Sequence, residues 1–317
     1  MKQIKFYLLA LLTIGTLAAC SSDNDEGGIS GNSNRNDIVN NVKAVGRLEF
    51  PKLKGGNSKV IVHYDYNNKL YDPDDINFSS EWDCQKKSQR WSCYIITVKN
   101  RVKNASRSGE GYPNDPAITD ADRWSQDYIY GSSYGTGSHP YDTSFDHGHI
   151  CPSNDRVYSA SANNQTFYLT NMQPQYKVFN GSHPDHKYSG LWIKMENYLH
   201  GFKLNTTDTM YVCKGGTIDK EDQILTRIQG KLIVPKYFFA AVLVKKMVNG
   251  KAYYKAIGFW FPHTNVYHGD DPLSKYAVSI DELEQKTGID FFCNLPDDIE
   301  NQVEKQKILS DWQSITQ

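Results

Sequence analysis

No apolar run in the 317-residue chain reaches the ~18 residues that a membrane-spanning helix needs, which excludes an ordinary membrane bundle. An excess of either charge is missing as well. The 35 Lys plus Arg stand against 36 Asp plus Glu, a net of −1, so nucleic acid is not held by bulk positive charge as on a basic arm. Cysteine is sparse and no close CxxC pair occurs, which argues against a zinc ribbon. There is no internal repeat and no βαβ rhythm. Gly215-Gly216 lacks the G-x-G-x-x-G spacing of a phosphate loop. Asp72, Asp74 and Asp75 lack the glycine of a calcium loop and predict a polar turn.

Apolar residues make up 39% of the chain and aromatics 13%, with 21 Tyr, enough for a full core and inconsistent with wholesale disorder. The N-terminus reads as an address. Lys2 and Lys5 precede an uncharged run from Phe6 to Ala19, and Leu17-Ala18-Ala19-Cys20 resembles a bacterial lipoprotein cleavage box. Residues 1–19 are therefore expected to be a signal peptide, with Cys20 lipidated and a membrane reached through that anchor. A polar tether is expected over 20–45, richest in Ser, Asn and Gly up to about Asn36. Its acidic start, Ser21 to Glu26, resembles the export tag of surface lipoproteins as much as a plain linker. Outer-membrane attachment, with possible surface exposure, is the expected location. Five cysteines remain beyond Cys20. A local Cys84–Cys93 bridge is plausible in an exported chain, and the odd count leaves at least one thiol free.

The remainder, 46–317, reads as one α+β domain. Val60–Tyr66, Trp91–Val98, Phe167–Thr170 and Thr209–Cys213 predict strands, being rich in β-branched and aromatic residues. Tyr237–Met247 and Lys251–Phe261 flank Asn249-Gly250, the strongest short hairpin signal. The stretch from Gly109 to Pro116, and that from Gly131 to Ser144, predict loops. Leu191, Trp192, Met195, Tyr198, Leu199 and Phe202 share one face of a helix with Ser189 as its expected N-cap. A second helix starts in the S-x-x-E form at Ser279 and stops at Gly288, and a third follows Pro296.

Chemistry concentrates around Asp146-His147-Gly148-His149. Alone it reads as a polar turn, but a strand running into Asn171-Met172-Gln173, then Phe179-Asn180, then the helix bearing Glu196, follow in order. That set, with DHGHICPSNDR, TFYLTNMQPQ and LWIKMEN as its motifs, resembles the DNA/RNA non-specific endonuclease family. Weaker likeness runs outward to Ser106-Arg107 and Asp115-Pro116-Ala117-Ile118, and onward through YVCKGGTI, VPKYFF and TGIDFFCNLPDDIE. It covers roughly residues 60–310. The resemblance implies a ββα-metal (His-Me finger) core on a mixed, largely antiparallel sheet with flanking helices. It implies Mg²⁺, with Mn²⁺ as a substitute, held by the Asn180 carbonyl. Glu196 would orient waters around the ion, Arg107 would pair with phosphate oxygens, and Asn171 would support the histidine loop.

The residue types suit that reaction. Phosphodiester hydrolysis needs a base for water, and His149, ordinarily titrating near neutrality, suits the task. A hard cation with oxygen ligands serves the phosphate and the leaving oxygen. Two departures stand out. His147 replaces the family arginine, and Gly181–Gly190 lengthens the passage from Asn180 into the helix, with Pro184 barring a continuous helix. If the insertion displaced Asn180, Asp185 would be the alternative ligand. His183 and His186 in the same stretch read as a flexible loop rather than a metal site. The expected function is sequence- and sugar-non-specific endonuclease action on DNA and RNA, with no protein partner implied. The alternative is an inactive surface lipoprotein binding glycan or nucleic acid on the same scaffold.

Overall fold

The computed structural model describes residues 31–38, 42–66, 69–108, 111–124 and 145–316. The expected signal peptide, Cys20 and the predicted loop from Gly131 to Ser144 lie outside these residues.

Strands β1 (Ser58–Tyr64), β2 (Ile76–Asp83) and β3 (Ser88–Ile96) open the domain. After β4 (Phe145–His149) come a short helix α1 (Ala160–Gln165) and β5 (Met172–Tyr176). Two helices follow, the single turn α2 (Lys177–Asn180) and α3 (Leu191–Gly201). The chain returns through β6 (Thr209–Gly216), β7 (Ile224–Ile228), β8 (Leu232–Pro235), β9 (Tyr237–Val248), β10 (Lys251–Pro262) and β11 (Ala277–Val278). Helices α4 (Ile280–Thr287) and α5 (Asp297–Glu304) close it. Seven strands form one sheet in the order β1-β2-β3-β6-β9-β10-β11, with every neighbouring pair antiparallel. The α+β class and antiparallel sheet match the expectation.

Strand β9 shows how the sheet becomes the centre of the molecule. Phe238, Ala240, Val242 and Val244 join a core beneath α3, where Trp192, Met195 and Leu199 pack. The alternate residues Phe239, Ala241 and Leu243 join the opposite core, with Ile280 and Leu283 of α4 and Val303 of α5. Side chains alternate across a strand, so a strand apolar on both faces is buried on both. The two strands meet at Asn249-Gly250, both residues at positive φ (49° and 79°), as a tight hairpin turn requires.

Four expectations need correction. The segment assigned to the tether is not loose beyond residue 31: Asn36 is buried and its amide donates to the carbonyls of Val45 and Pro51. Ala44 and Val45 enter the core, so the packed domain starts before Gly46; short apolar residues hidden in polar sequence were enough to dock it. The Cys84–Cys93 bridge is not made, and the five described cysteines are free thiols. Cys93 lies opposite Ser79, five residues from Cys84. At about 3.3 Å per residue that is roughly 16 Å, beyond disulfide reach. The predicted strand at Phe167–Thr170 lies a few residues late in the chain, at Met172–Tyr176, because residues 169–171 form a 3-10 turn. Finally, α3 is capped by Gly190, not Ser189, whose hydroxyl instead donates to the His186 carbonyl at 2.9 Å. The helices at Ser279 and after Pro296 form as expected, the first with its hydroxyl accepting from the Glu282 amide and ending at Gly288, φ 74°.

Candidate active site

Strands β4 and β5 pair as a separate two-stranded finger, Phe145 facing Tyr176 and His149 facing Met172. Gly148 is where glycine is required, since a Cβ there would overlap the side chain of buried Gln175. The finger is pinned at each end. Beyond His149 the ladder continues as the Ile150 amide donates to the Asn171 carbonyl at 3.0 Å. The Asn171 side chain, wholly buried, then accepts the Cys151 amide and donates to the Cys151 and Thr166 carbonyls, each at 2.8 Å. At the other end the Tyr176 amide donates to His263 Nε2 at 2.7 Å. His263 Nδ1 lies 2.7 Å from the Pro235 carbonyl. A histidine that accepts at one nitrogen and donates at the other is neutral, and burial holds His263 down at about 4.

The excursion after Asn180 closes on itself. Gly181 takes a left-handed φ of 93° to end α2, and a Cβ on Gly190 would overlap the backbone of Phe179 and Gly181. Exit and re-entry of the excursion are thus in contact, and α3 resumes beside the turn that α2 ended. The Lys194 amide donates to the Gly190 carbonyl, and the Trp192 indole donates to the His149 carbonyl at 3.1 Å. The excursion itself is docked: the Tyr188 amide donates to the Gly181 carbonyl, and the His186 ring stacks on Tyr267 at 3.8 Å. His183 Nδ1 accepts the Asp185 amide within the turn, so the two histidines organise the loop. Asp185 is exposed and does not line the cleft described next.

The structure brings His149, Asn180, Glu196 and Arg107 to the walls of one cleft of about 640 Å³, and leaves Asn171 behind it. His149 Nε2 is buried without a hydrogen-bond partner. The ring bonds instead to the His147 backbone, which leaves Nδ1 as the donor and Nε2 with its lone pair free. Burial, then the positive field of Arg107, holds the imidazole well below its ordinary range. His147, in the arginine position, is buried and stacks on Tyr112 with ring centres 4.3 Å apart. The Arg107 guanidinium lies over Phe167 and donates to Ser153 Oγ at 2.6 Å.

Two acidic contacts complete the cleft. The Asn180 amide donates to Asp146 Oδ2 at 2.9 Å, and Ser182 donates to the same oxygen. A carboxylate only accepts, so the Asn180 oxygen must face away from Asp146. Glu196 takes a hydrogen bond from Lys214 Nζ at 2.7 Å. Burial pushes the Glu196 carboxyl up and outweighs the pull of Lys214. Lys214 is fully buried, with Trp192 and Tyr94 facing its amine. Sequence reasoning missed Asp146, Lys214 and His263 as site residues. For Lys214 the available signal was a lysine inside an apolar strand segment, MYVCKGG, and for Asp146 its place in the histidine motif.

The donor set fits a hydrated cation. Asn180, Asp146 and Glu196, each bearing a side-chain oxygen, line one cleft. A small hard cation that keeps most of its waters asks for no more.

Residues 57–298 match the family model described as DNA/RNA non-specific endonuclease. The chain is 27% identical over 216 residues to nuclease C1 of Cunninghamella echinulata var. echinulata, covering 64% of this chain and 81% of that one. It is 26% identical over 258 residues to the human mitochondrial nuclease EXOG, covering 76% of this chain and 62% of that one. Its fold resembles EndoG in a solved EndoG–EndoGI complex, with a TM-score of 0.52 at 20% identity over 69% of this chain and 84% of that one. With the finger and its cleft in the matched region, the chain belongs to the DNA/RNA non-specific endonuclease family and is a metal-dependent endonuclease.

Proposed function

We propose that the protein hydrolyses phosphodiester bonds of both DNA and RNA without sequence or sugar preference, with His149 as general base and Mg²⁺ as cofactor. The single observation that carries this reading is His149 Nε2, unpartnered at the wall of a cleft shared with Asn180 and Glu196. Its low proton affinity keeps the ring neutral at pH 7, so Nε2 takes the proton from an attacking water while Nδ1 stays anchored on the His147 carbonyl. Asn171 holds the backbone behind His149 and acts as a positioning residue, not by touching substrate. Arg107, exposed at the rim, offers a forked donor to phosphate oxygens. Asn180, its amide held by Asp146, would hold the cation through its side-chain oxygen, and Glu196, fixed by Lys214, lines the same cleft. When bound there, Mg²⁺ supplies charge compensation for the phosphate and assistance to the leaving oxygen.

Contacts of this kind address the backbone and carry no base information. In the cell we place the protein outside the cytoplasm, lipidated on Cys20 and attached to the outer membrane, on the strength of the Leu17–Cys20 box. Plasmid nicking with and without EDTA tests the activity. Cleavage of plasmid, single-stranded DNA and RNA in Mg²⁺, all abolished by EDTA, is expected. Cleavage confined to one defined sequence, or unaffected by EDTA, would refute it.

A further inference from the structure

Across the sheet from the cleft, α4 and α5 bring carboxylates together without bringing a cation to them. Asp281 and Glu284 lie three residues apart on α4, hence on one face, and Glu304 ends α5. One oxygen from each lies within 4.8 Å of the other two. Asp290 and Glu300 stand close enough to add to the field on Glu304. Among the described residues none of these five forms an ion pair: Lys286, on the same helix, pairs with Glu282 instead, and the Lys52 amine, whose field reaches Asp290, donates to the Asn34 and Arg35 carbonyls.

Neutral donors satisfy part of the cluster. Glu284 Oε1 accepts the Phe291 amide at 2.7 Å. The Asn34 amide donates to Asp290 Oδ2 and Glu300 Oε1 at 3.2 and 2.9 Å, which joins the N-terminal segment to the same corner. Glu304 is different. It is only 7% exposed, its Oε1 is buried with no hydrogen-bond partner, and one of its carboxylate oxygens lies within 4.8 Å of oxygens of Asp281 and Glu284. Burial, with repulsion from its neighbours, pushes Glu304 up to about 10 and Glu284 up to about 8. An uncompensated buried carboxylate is too costly to persist; it takes up a proton or acquires a cation.

The geometry admits a cation. Oxygens bound to one ion at 2.3–2.6 Å are separated by at most about 5 Å, and the three ligand oxygens fall inside that limit, none more than 4.8 Å from another. Three carboxylates from two helices suit an ion with flexible, high coordination better than one demanding a strict octahedron. We propose that Asp281, Glu284 and Glu304 bind a Ca²⁺ ion that ties α4 to α5, a structural site separate from the catalytic cleft.

The test uses the full chain stripped with EDTA, as the parent and as Asn180→Ala, in which the catalytic metal site is weakened. Millimolar Ca²⁺ should raise Tm by several degrees in both, since an ion that binds only the folded state stabilises it. Equilibrium dialysis with radioactive Ca²⁺ should count one ion per Asn180→Ala chain. Glu304→Gln should abolish both the shift and the bound ion, yet nick plasmid in Mg²⁺ within about twofold of the parent, as a residue remote from the chemistry does. Should Glu304→Gln fail to fold, Asp281→Asn, on the partly exposed first turn of α4, replaces it and should lower Ca²⁺ affinity by tenfold or so. A Tm indifferent to Ca²⁺ overturns the proposal in favour of shared protons, and a bound ion that survives these substitutions overturns it by placing the ion elsewhere.

Discussion

Two hairpins in this molecule solve opposite problems. β9–β10 pairs over twelve rungs around Asn249-Gly250, and its central residues are apolar and buried on both faces. β4–β5 pairs over five rungs, joined through residues 150–171, and buries histidine, amide and glycine. In the finger, His149 Nε2 and both polar atoms of the Gln175 side chain are buried without partners. Buried polar groups left unsatisfied lower stability. The long hairpin supplies the rigidity that the short one lacks, and the two are joined through His263, directly after β10, which accepts the Tyr176 amide. A reactive nitrogen is kept free of partners only where the rest of the fold can bear the cost.

The contrast can be broken or sharpened by substitution. His149→Ala should lower nicking by 10²–10⁴-fold, the usual contribution of a general base, with unchanged circular dichroism. Activity within a factor of about two of the parent would exclude His149 as the base.

The pH dependence of stability comes next in size. His263 titrates near 4 in the fold and near 6.5 when unfolded. Between those values the unfolded chain binds the extra proton, so stability falls as pH drops from about 6.5 to about 4, by roughly 3 kcal/mol. Tm measured against pH should therefore lose that part of its slope in His263→Gln. Parallel curves for parent and variant would show that the finger is not held through a neutral His263. His149 is lowered in the same direction, so the acid limb of nicking activity should lie below pH 6.5.

Gly148→Ala drives a methyl into Gln175 and should cost 1–3 kcal/mol as overpacking. Nicking should fall further than stability, because the displaced strand carries His149. Equal nicking at full folding would mean that the finger adapts. Asn180→Ala should raise the Mg²⁺ concentration for half-activity by about tenfold, the scale of one neutral contact, with added Mg²⁺ restoring part of the rate. An unchanged titration beside a shifted one for Asp185→Ala would reverse the choice of ligand. Smallest of all, Gly250→Ala, at positive φ but with open space around it, should cost about 1 kcal/mol and leave nicking alone. A large loss of activity there would mean that the long hairpin does more than support.

Much of this was legible in the chain and some was not, for identifiable reasons. The Asn249-Gly250 turn, the Ser279 cap and the Gly288 stop are local chemistry, so they formed where the residues implied. β2 was invisible because Ser79, Ser80 and Glu81 read as surface; they are buried, with Ser80 hydrogen-bonded to Ser92 and Glu81 accepting the Lys54 amide. The candidate site residues His149, Asn180, Glu196 and Arg107 came from the ordered motifs and the family resemblance they carry, and the fold brings the four to one cleft. Asp146 was noted only as a neighbour of the histidines, although it orients the Asn180 amide.

Sequence by itself determined the things that depend on near neighbours: the α+β class, the paired long strands, the two ends of α4 and the His–Asn–Glu order. Tertiary structure alone decided the rest. Gly181 and Gly190 touch only because the Asn180 turn and α3 pack on the same core, which closes the inserted loop on itself. Lys214 reaches Glu196, and His263 reaches Tyr176, across separations of 18 and 87 residues. No periodicity encodes such meetings, because they depend on where the whole sheet carries its strand ends. Whether a carboxyl meets a cationic side chain, as Glu196 does, or has an oxygen buried without a partner, as Glu304 does, likewise follows from which chain segments the packing brings alongside it.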